Sequence, residues 1–223
     1  ALCRKVYGSR AAIVPYVMPG FALALKAKEV FDAHPQCEGL ILHKHGIFTF
    51  GGSACEAYDR MINLVTRAER ALLGIRRRRV FAVRLPKAVA TATDIAPMLR
   101  GLVSKPGQHF VLAHRASDDV LAYVNGRELA RYSRQGPVTP DHVIRTKPRP
   151  LILPVPDAAR LGAFATAARK AVERYQAAYQ RYFARHNARA VPNKRPLDPM
   201  PRVILVPGVG VFGVGATEKD ARI

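Results

Sequence analysis

The chain has 223 residues, of which 49% are hydrophobic, and a formal net charge of +20 at neutral pH. This length supports one large domain or two modest ones around a real core, and the composition is that of a globular protein. The sequence contains no unbroken apolar run of the roughly 18 to 20 residues that a membrane span requires, and its first residues lack the pattern of a signal peptide.

The first residue is alanine rather than an initiator methionine, so we expect the sequence to begin in the middle of a longer chain. The cysteines Cys3, Cys37 and Cys55 are few, odd in number and unpatterned. That usage is typical of free thiols in a reducing cytoplasm.

The positive charge favours an anionic partner, and nucleic acid is the first class to consider. The basic residues are mostly arginines scattered over predicted helices, without one stripe that gathers them. The densest run, Arg76 to Arg79, has no interleaved aromatic residue of the kind that stacks on single strands. We interpret that run as a solvated helix end or linker, and we expect no nucleic-acid partner.

The first predicted elements are a helix and a hairpin. After Pro19-Gly20, apolar residues at helical spacing predict a short amphipathic helix that ends near His34. Its apolar face is predicted to comprise Phe21, Leu25, Ala27 and Phe31. The stretch GLILHKHGIFTFGG, residues 39–52, predicts a strand, a tight turn and a second strand, because β-branched and aromatic residues flank a His-Gly corner.

A longer helix is predicted over residues 54–74. Ser53 and Glu56 have the spacing of a capping box, in which each side chain satisfies a free backbone N–H at the helix start. Gly74 is a plausible stop. The predicted buried face comprises Tyr58, Met61, Ile62, Val65, Ala68 and Leu72.

The centre of the chain alternates short elements with a long helix. TATDIAPMLRGLV (91–103) predicts a helix, while HFVLAH (109–114) and DDVLAYVN (118–125) predict strands, and residues 136–150 predict a proline-punctuated loop. The long helix is predicted from about Asp157 to Asn187, followed by a linker over residues 188–201 and by a strand, turn and strand over 202–215. Its face is predicted to comprise Leu161, Phe164, Ala168, Val172, Tyr175, Tyr179 and Tyr182.

The two strand–turn–strand stretches resemble each other. The sequence LIL at 40–42 aligns with VIL at 203–205 and, after one inserted residue, HGIFTFGGSACEA aligns with VGVFGVGATEKDA. This alignment places His45 on Val209 and Gly46 on Gly210. We therefore expect two copies of one module, the second without its histidine, and we expect that Ile223 lies where the second copy's last helix is being cut off.

His43 and His45 form an H-x-H pair. On a strand, residues i and i+2 face the same side, so both imidazoles could reach one metal ion, although such pairs are also common in ordinary strands. A glycine directly after His45 favours a more particular site, because it lets the backbone turn close to a bound ion or substrate.

The stretches VPYVMPGFALA and GLILHKHGIFTFGGSACEAYDRMINLVTRAE resemble the C-terminal half of the class II aldolase/adducin family. GPVTPDHVIRTK and PRVILVPGVGVFGVG resemble the central region of its long variant, which is fused to a short-chain dehydrogenase. The resemblance covers nearly the whole chain. It implies a layered α/β/α fold with a mainly antiparallel sheet, in two related modules of which the second is degenerate and both ends are cut.

In that family three histidines hold a divalent metal, usually zinc, and His45 matches the ligand of the His-Gly hairpin. His43 matches no ligand, so we assign it a supporting role. The resemblance implies that the other ligands, the acidic catalytic residue and the phosphate-binding loops lie before Ala1. No catalytic residue is therefore assigned in this chain. The metal would stabilise the enediolate that retro-aldol cleavage leaves, and one histidine would hold it weakly.

Gly208, Gly210 and Gly213 spell G-x-G-x-x-G directly after the strand RVILV, which is the dinucleotide fingerprint. In that fingerprint the helix opens within the motif. Here Val211, Phe212 and Val214 continue in strand-forming residues, so we expect a hairpin and no cofactor site at these glycines. The resemblance places the NAD(P) site in a dehydrogenase domain beyond this chain.

The segment TPDHVIRTK concentrates Asp141, His142, Arg145 and Lys147. Its cations suit a phosphate group, but the cluster also suits a loop that is tied to its own module and to a neighbouring domain, and we favour the second interpretation.

The sequence thus predicts residues 1–80 as the C-terminal half of a metal module and residues 81–223 as a degenerate second one. The expected parent is a cytoplasmic, homo-oligomeric enzyme with a sugar or sugar phosphate as substrate, with lyase and NAD(P)-dependent oxidoreductase parts and no membrane partner. We expect the isolated chain to be inactive. The alternatives are a non-catalytic, adducin-like scaffold and a basic nucleic-acid binder.

Overall fold

The computed structural model describes residues 2–75, 80–190 and 193–223. The arginine run 76–79 and residues 191–192 of the linker lie outside these ranges. The chain divides into a first unit, Ala1–Arg78 with Val138–Pro140, and a second unit, Arg79–Pro137 with Asp141–Ile223. Both units mix helices with a small sheet, so the fold is α/β. Among the described helices, none is long and apolar enough to cross a lipid bilayer.

The first unit contains a three-stranded mixed sheet in the order β1-β2-β3. The strand β1 pairs in parallel with β2 across the helix α2, and β2 turns back into β3 as an antiparallel hairpin. The elements are α1 (Leu2–Tyr7), β1 (Ala11–Val14), α2 (Phe21–Ala33), β2 (Gly39–Leu42), β3 (Gly46–Thr49) and α3 (Ala54–Leu73).

The second unit contains a four-stranded mixed sheet in the order β4-β7-β6-β5. The strand β5 pairs in parallel with β6 across the long helix α8, β6 turns back into β7, and β4 covers the outer edge of β7. Its helices and strands are α4 (Ala92–Val103), β4 (Val111–Arg115), α5 (Asp118–Val124), α6 (Leu129–Tyr132), α7 (Pro140–Thr146, begun at the unit boundary), β5 (Leu151–Ile152), α8 (Leu161–Asn187), β6 (Val203–Val206), β7 (Gly210–Gly215) and α9 (Glu218–Arg222).

Two segments are helical where the sequence predicted otherwise. Residues 118–125, predicted as a strand, contain α5, whose first turn carries Asp118 and Asp119 and whose last residue Val124 is fully buried. Acidic side chains are stabilised at a helix N-terminus by the helix dipole. Residues 136–150, predicted as a loop, contain α7, which begins at Pro140 and has Asp141 in its first turn. Proline is well suited to the first helical position, where its missing N–H costs nothing.

The buried faces of the first unit's helices differ from the predicted ones. In α3 the fully buried residue is Leu64, whereas the predicted face residues Tyr58, Ile62, Val65 and Leu72 are exposed. In α2 the core is reached by Leu23, Ala27 and Val30, whereas Phe21 and Leu25 are exposed. In both helices more than one set of apolar residues recurs with a 3.6-residue period. Packing against the sheet determines which set is buried. In α8, by contrast, Phe164, Ala168 and Val172 are buried as predicted.

The two hairpins have one register and a constant offset of 164 residues. Leu40 pairs with Phe48 and Leu42 with Gly46 in the first, as Ile204 pairs with Phe212 and Val206 with Gly210 in the second. The inserted residue of the sequence alignment is therefore wrong, because Leu42 corresponds to Val206 without a gap. Both turns also have the same backbone conformation. Lys44 and Gly208 have φ of 67° and 84°, and Gly46 and Gly210 both have φ of 132°.

The equivalence continues into the helices that follow the hairpins. Ser53 accepts a hydrogen bond from the Glu56 N–H at 3.1 Å, and Thr217, 164 residues later, accepts one from the Asp220 N–H at 3.1 Å. The reciprocal half of the capping box is shifted in the first unit, where the Glu56 carboxylate accepts from the Gly52 N–H at 2.6 Å. Each unit thus contains one strand–helix–strand–strand–helix succession.

Candidate metal-ligand site and its counterpart in the second unit

His45 lies in the turn between β2 and β3, directly before the first residue of β3. The turn closes through a hydrogen bond from the His45 N–H to the Leu42 carbonyl at 2.9 Å. The neighbouring turn residue His43 donates its N–H to the Val14 carbonyl at 3.0 Å, which joins the turn to the end of β1. The histidine turn therefore lies at the carboxyl ends of two parallel strands, which is where open α/β sheets bind ligands.

The imidazole of His45 is held from two sides by the segment that follows β1. Its Nε2 lies 2.8 Å from the Val17 carbonyl oxygen, and its ring stacks on Tyr16 with centroids 5.4 Å apart and planes 6° apart. Because a carbonyl oxygen only accepts, Nε2 carries the proton, and in the neutral ring Nδ1 carries the lone pair. A ring N–H donated to a backbone carbonyl is the usual orientation of a metal-ligating histidine.

His43 does not have the strand geometry that was predicted to align it with His45. Both residues lie in the turn, so the alternation of side chains along a strand does not place them on one face. Within the described residues, no three His, Cys, Asp or Glu side chains are grouped closely enough to hold a metal ion.

The equivalent turn in the second unit is closed and apolar. Val209 stands at the position of His45, donates its N–H to the Val206 carbonyl at 3.0 Å and is buried in the main core of the unit. His114, at the end of β4, contacts this corner through Nε2, which lies 3.0 Å from the Val209 carbonyl oxygen, and its ring packs on Phe212. The sequence did not place this histidine at the corner, because local patterns do not show which remote strand β7 pairs with.

Comparison with known proteins agrees with this two-unit organisation. Residues 90–223 match the family model described as "Aldolase class II, second domain", and residues 2–72 match the model described as "Class II Aldolase and Adducin N-terminal domain".

The chain belongs to the class II aldolase/adducin family.

One curated protein is similar to the whole chain. The uncharacterized oxidoreductase YuxG of Bacillus subtilis (strain 168) is 31% identical over 230 residues, which cover 100% of this chain and 33% of YuxG. The chain therefore spans about a third of the length of this relative. A solved N-terminal class II aldolase domain of a conserved protein from Thermoplasma acidophilum is 43% identical over 32% of each chain, with a TM-score of 0.28.

The class II aldolase/adducin family implies a metal ion, and the local chemistry of His45 suits one. The number of ligands does not suit one, because a catalytic zinc site takes about three protein ligands and the described residues bring no group of three His, Cys, Asp or Glu side chains together at this turn. The described residues of this chain therefore do not complete a family-type metal centre by themselves.

The glycine motif of the second unit forms a turn and a strand, as the sequence predicted. Gly210 begins β7, and the next helix after this strand starts at Glu218. Close packing accounts for two of the glycines: a Cβ at Gly210 would collide with the Arg115 carbonyl oxygen, and a Cβ at Gly213 with the carbonyl oxygen of Ala221 in α9. Helix N-terminal N–H groups, which bind the pyrophosphate in a dinucleotide fold, are thus not presented by these residues.

The polar segment 139–147 ends in Lys147, whose side chain is buried and makes two contacts in the second unit. Lys147 is 2% exposed, donates from Nζ to the Asp198 carbonyl oxygen at 2.5 Å and lies 4.3 Å from the centre of the Tyr179 ring. Burial lowers the pKa of Lys147 to about 8, and the Asp198 carboxylate opposes that shift while Arg202 adds to it. These contacts support the interpretation of Lys147 as a structural tie of its own unit.

Proposed function

We propose that this chain is an internal part of a longer bifunctional enzyme that joins class II aldolase modules to a short-chain dehydrogenase. Two observations support the proposal. The chain has two successive regions of the class II aldolase/adducin family, and a relative similar over its full length carries the name oxidoreductase and is about three times as long. The NAD(P) site then belongs to a part of the protein outside this chain.

Within this enzyme, residues 1–80 are proposed as the C-terminal half of the metal module and residues 81–223 as a degenerate second copy. The observation that carries this assignment is the pair of hairpins with one register, one turn geometry and an offset of 164 residues, in which His45 is replaced by Val209. The Val209 corner is filled by core residues, so it has lost both the ligand and the space for a substrate.

The first unit is proposed to contribute His45 as one ligand of a divalent metal, with zinc as the first candidate. When bound, the ion would act as a Lewis acid for retro-aldol cleavage of a sugar or sugar phosphate. The contribution of this chain is to hold the His45 ring through Tyr16 and the Val17 carbonyl, so that Nδ1 is presented to the ion. The enzyme is further proposed to be cytoplasmic and homo-oligomeric.

The remaining ligands are proposed to come from a strand that pairs with β3. In the second unit β4 lies antiparallel to β7 and brings His114 to the corner, whereas the corresponding strand β3 is the edge of the described first sheet. A strand on that edge would place its last side chains beside His45, which explains why one histidine is found where three are needed.

The test is an aldol-cleavage assay on the longer enzyme, with release of aldehyde from sugar phosphates as the signal. We expect a chelator to abolish the activity and added zinc to restore it. The competing function is a non-catalytic scaffold, which the filled Val209 corner favours for the second unit. If the longer enzyme releases no aldehyde either with or without added metal, the result would favour the scaffold role for both units and overturn the proposal.

A further inference from the structure

A wide cavity of about 1160 Å³ lies in the second unit, away from both hairpin turns. Its wall is one face of α8, and its other sides are segments 134–136 and 148–152. This volume lies just above the roughly 300 to 1,000 Å³ that is typical of sites for a small molecule. No residue of the two turns, 43–45 and 207–209, lines it.

The cavity is lined by five exposed arginines and by no acidic residue. These are Arg134, Arg149, Arg174, Arg181 and Arg185. Arg174, Arg181 and Arg185 recur on α8 at steps of seven and four residues, which places them on one face. Within the described part of the chain, none of the five forms an ion pair with Asp or Glu. Arginines that are remote in sequence thus line one cavity.

The tyrosines of the same wall are mostly engaged in contacts of their own. The Tyr175 hydroxyl donates to the Arg149 carbonyl oxygen at 2.9 Å, and burial raises the Tyr175 pKa, so that the group stays protonated. The Lys147 ammonium lies over the Tyr179 ring in a cation–π contact. These contacts fix the walls of the cavity. Of the five guanidinium groups, Arg185 contacts the neighbouring His186 Nε2 at 3.4 Å, and none is neutralised by a carboxylate of the described residues.

We propose that this cavity is a binding site for a small molecule that carries two or more phosphate groups. Guanidinium groups bind phosphate oxygens through paired, charge-assisted hydrogen bonds, and five of them exceed what a single phosphate can accept. The proposal is independent of the aldolase function, because no residue of the His45 turn takes part in the site.

The size and the aromatic contacts favour a small ligand over a nucleic acid. From Arg174 to Arg185 the helix rises roughly 16 Å, which is the length of a few phosphate groups. A single-strand platform needs several free ring faces for successive bases. Here Tyr182 is the exposed ring, and it already packs on His186 at 4.7 Å.

The test is calorimetric titration of the chain with tripolyphosphate and, in a second arm, with ATP. The variant Arg174→Gln with Arg181→Gln removes two charges from the cavity. Both residues are exposed, so we expect the variant to keep the fold. The control, Arg160→Gln with Lys170→Gln, removes two charges from exposed positions outside the cavity.

We expect saturable binding of one equivalent. The Kd should rise about tenfold or more in the cavity variant and change less than about twofold in the control. Tighter binding of ATP than of tripolyphosphate would identify a nucleotide, and equal binding an inorganic or sugar polyphosphate. An equal loss of affinity in both variants would show that only net charge matters, and it would overturn the proposed site. Absence of saturation, or preference for a single-stranded oligonucleotide of about 12 bases, would also overturn it.

Discussion

His45 and Val209 occupy the same position in two hairpins of identical register. Each donates its backbone N–H to the carbonyl three residues earlier, and each precedes a glycine with φ of 132°. One side chain is an imidazole with a free nitrogen, and the other is a buried aliphatic group. The backbone of the module is thus kept in both units, while the chemistry of its turn differs.

The first prediction concerns the metal affinity of this chain. Because His45 is the one ligand assigned in this turn and a zinc centre takes about three protein ligands, the purified chain should bind zinc weakly and below one equivalent. It should also show little or no aldolase activity. Equilibrium dialysis with metal analysis measures the affinity, with His43→Ala and His45→Ala as paired variants.

The dialysis experiment has a clear contrary outcome. Tight zinc at one equivalent would mean that other histidines form the site, with His43, His109, His114 and His142 as the candidates to replace in turn.

A second prediction concerns Gly213 as a packing residue. Its replacement by alanine would drive a Cβ into the Ala221 carbonyl oxygen, so Gly213→Ala should destabilise the second unit by about 2 kcal/mol or more. The matched control is Gly101→Ala in α4, where a Cβ meets nothing. That change should stabilise by about 0.5 to 1 kcal/mol, because alanine favours the helix. Urea unfolding gives both free energies, and equal effects would refute the close approach of α9 to β7.

A third prediction states that NADH does not bind the glycines at 208–213. Residues 210–215 form a strand, so no helix N-terminus meets a pyrophosphate there. Hydrogen exchange of the chain with and without NADH is the measurement, since it does not require a disruptive substitution at Gly210. If NADH binds the chain at all, we expect it in the arginine-lined cavity. That binding should be lost in the double variant Arg174→Gln with Arg181→Gln. Protection of the amides of 208–216 by NADH would contradict the assignment and move the nicotinamide site into this chain.

The hairpins and the long helices could be predicted because their signals are local. The Gly corner after His45, the cap at Ser53 and the apolar period of α8 each specify structure within a few residues. The buried face of α3 could not be predicted, because Leu64 and Ile62 both satisfy a helical period and the sheet decides between them. The arginine cavity could not be predicted either, because Arg134 and Arg149 join Arg181 through tertiary packing.

A fourth prediction uses Lys147. Its pKa is about 8 in the folded chain and about 10.5 when unfolded. Between these values the unfolded chain binds more protons, so the free energy of unfolding should rise with pH from about 8 to 10 through this residue. Lys147→Met should reduce this slope. Urea unfolding at several pH values compares the two proteins, and identical slopes would show that Lys147 is not desolvated.

The central claim is that His45 is a metal ligand of the longer enzyme and that Val209 marks a unit without one. The most direct measurement is the zinc content of the longer enzyme purified as His45→Ala, beside His43→Ala and His114→Ala as controls. We expect His45→Ala to lose its metal together with aldol cleavage, because the site falls below three ligands, while both controls retain zinc. Full zinc occupancy in His45→Ala, or loss of the metal in His114→Ala, would contradict the assignment of the first turn as the metal-binding one.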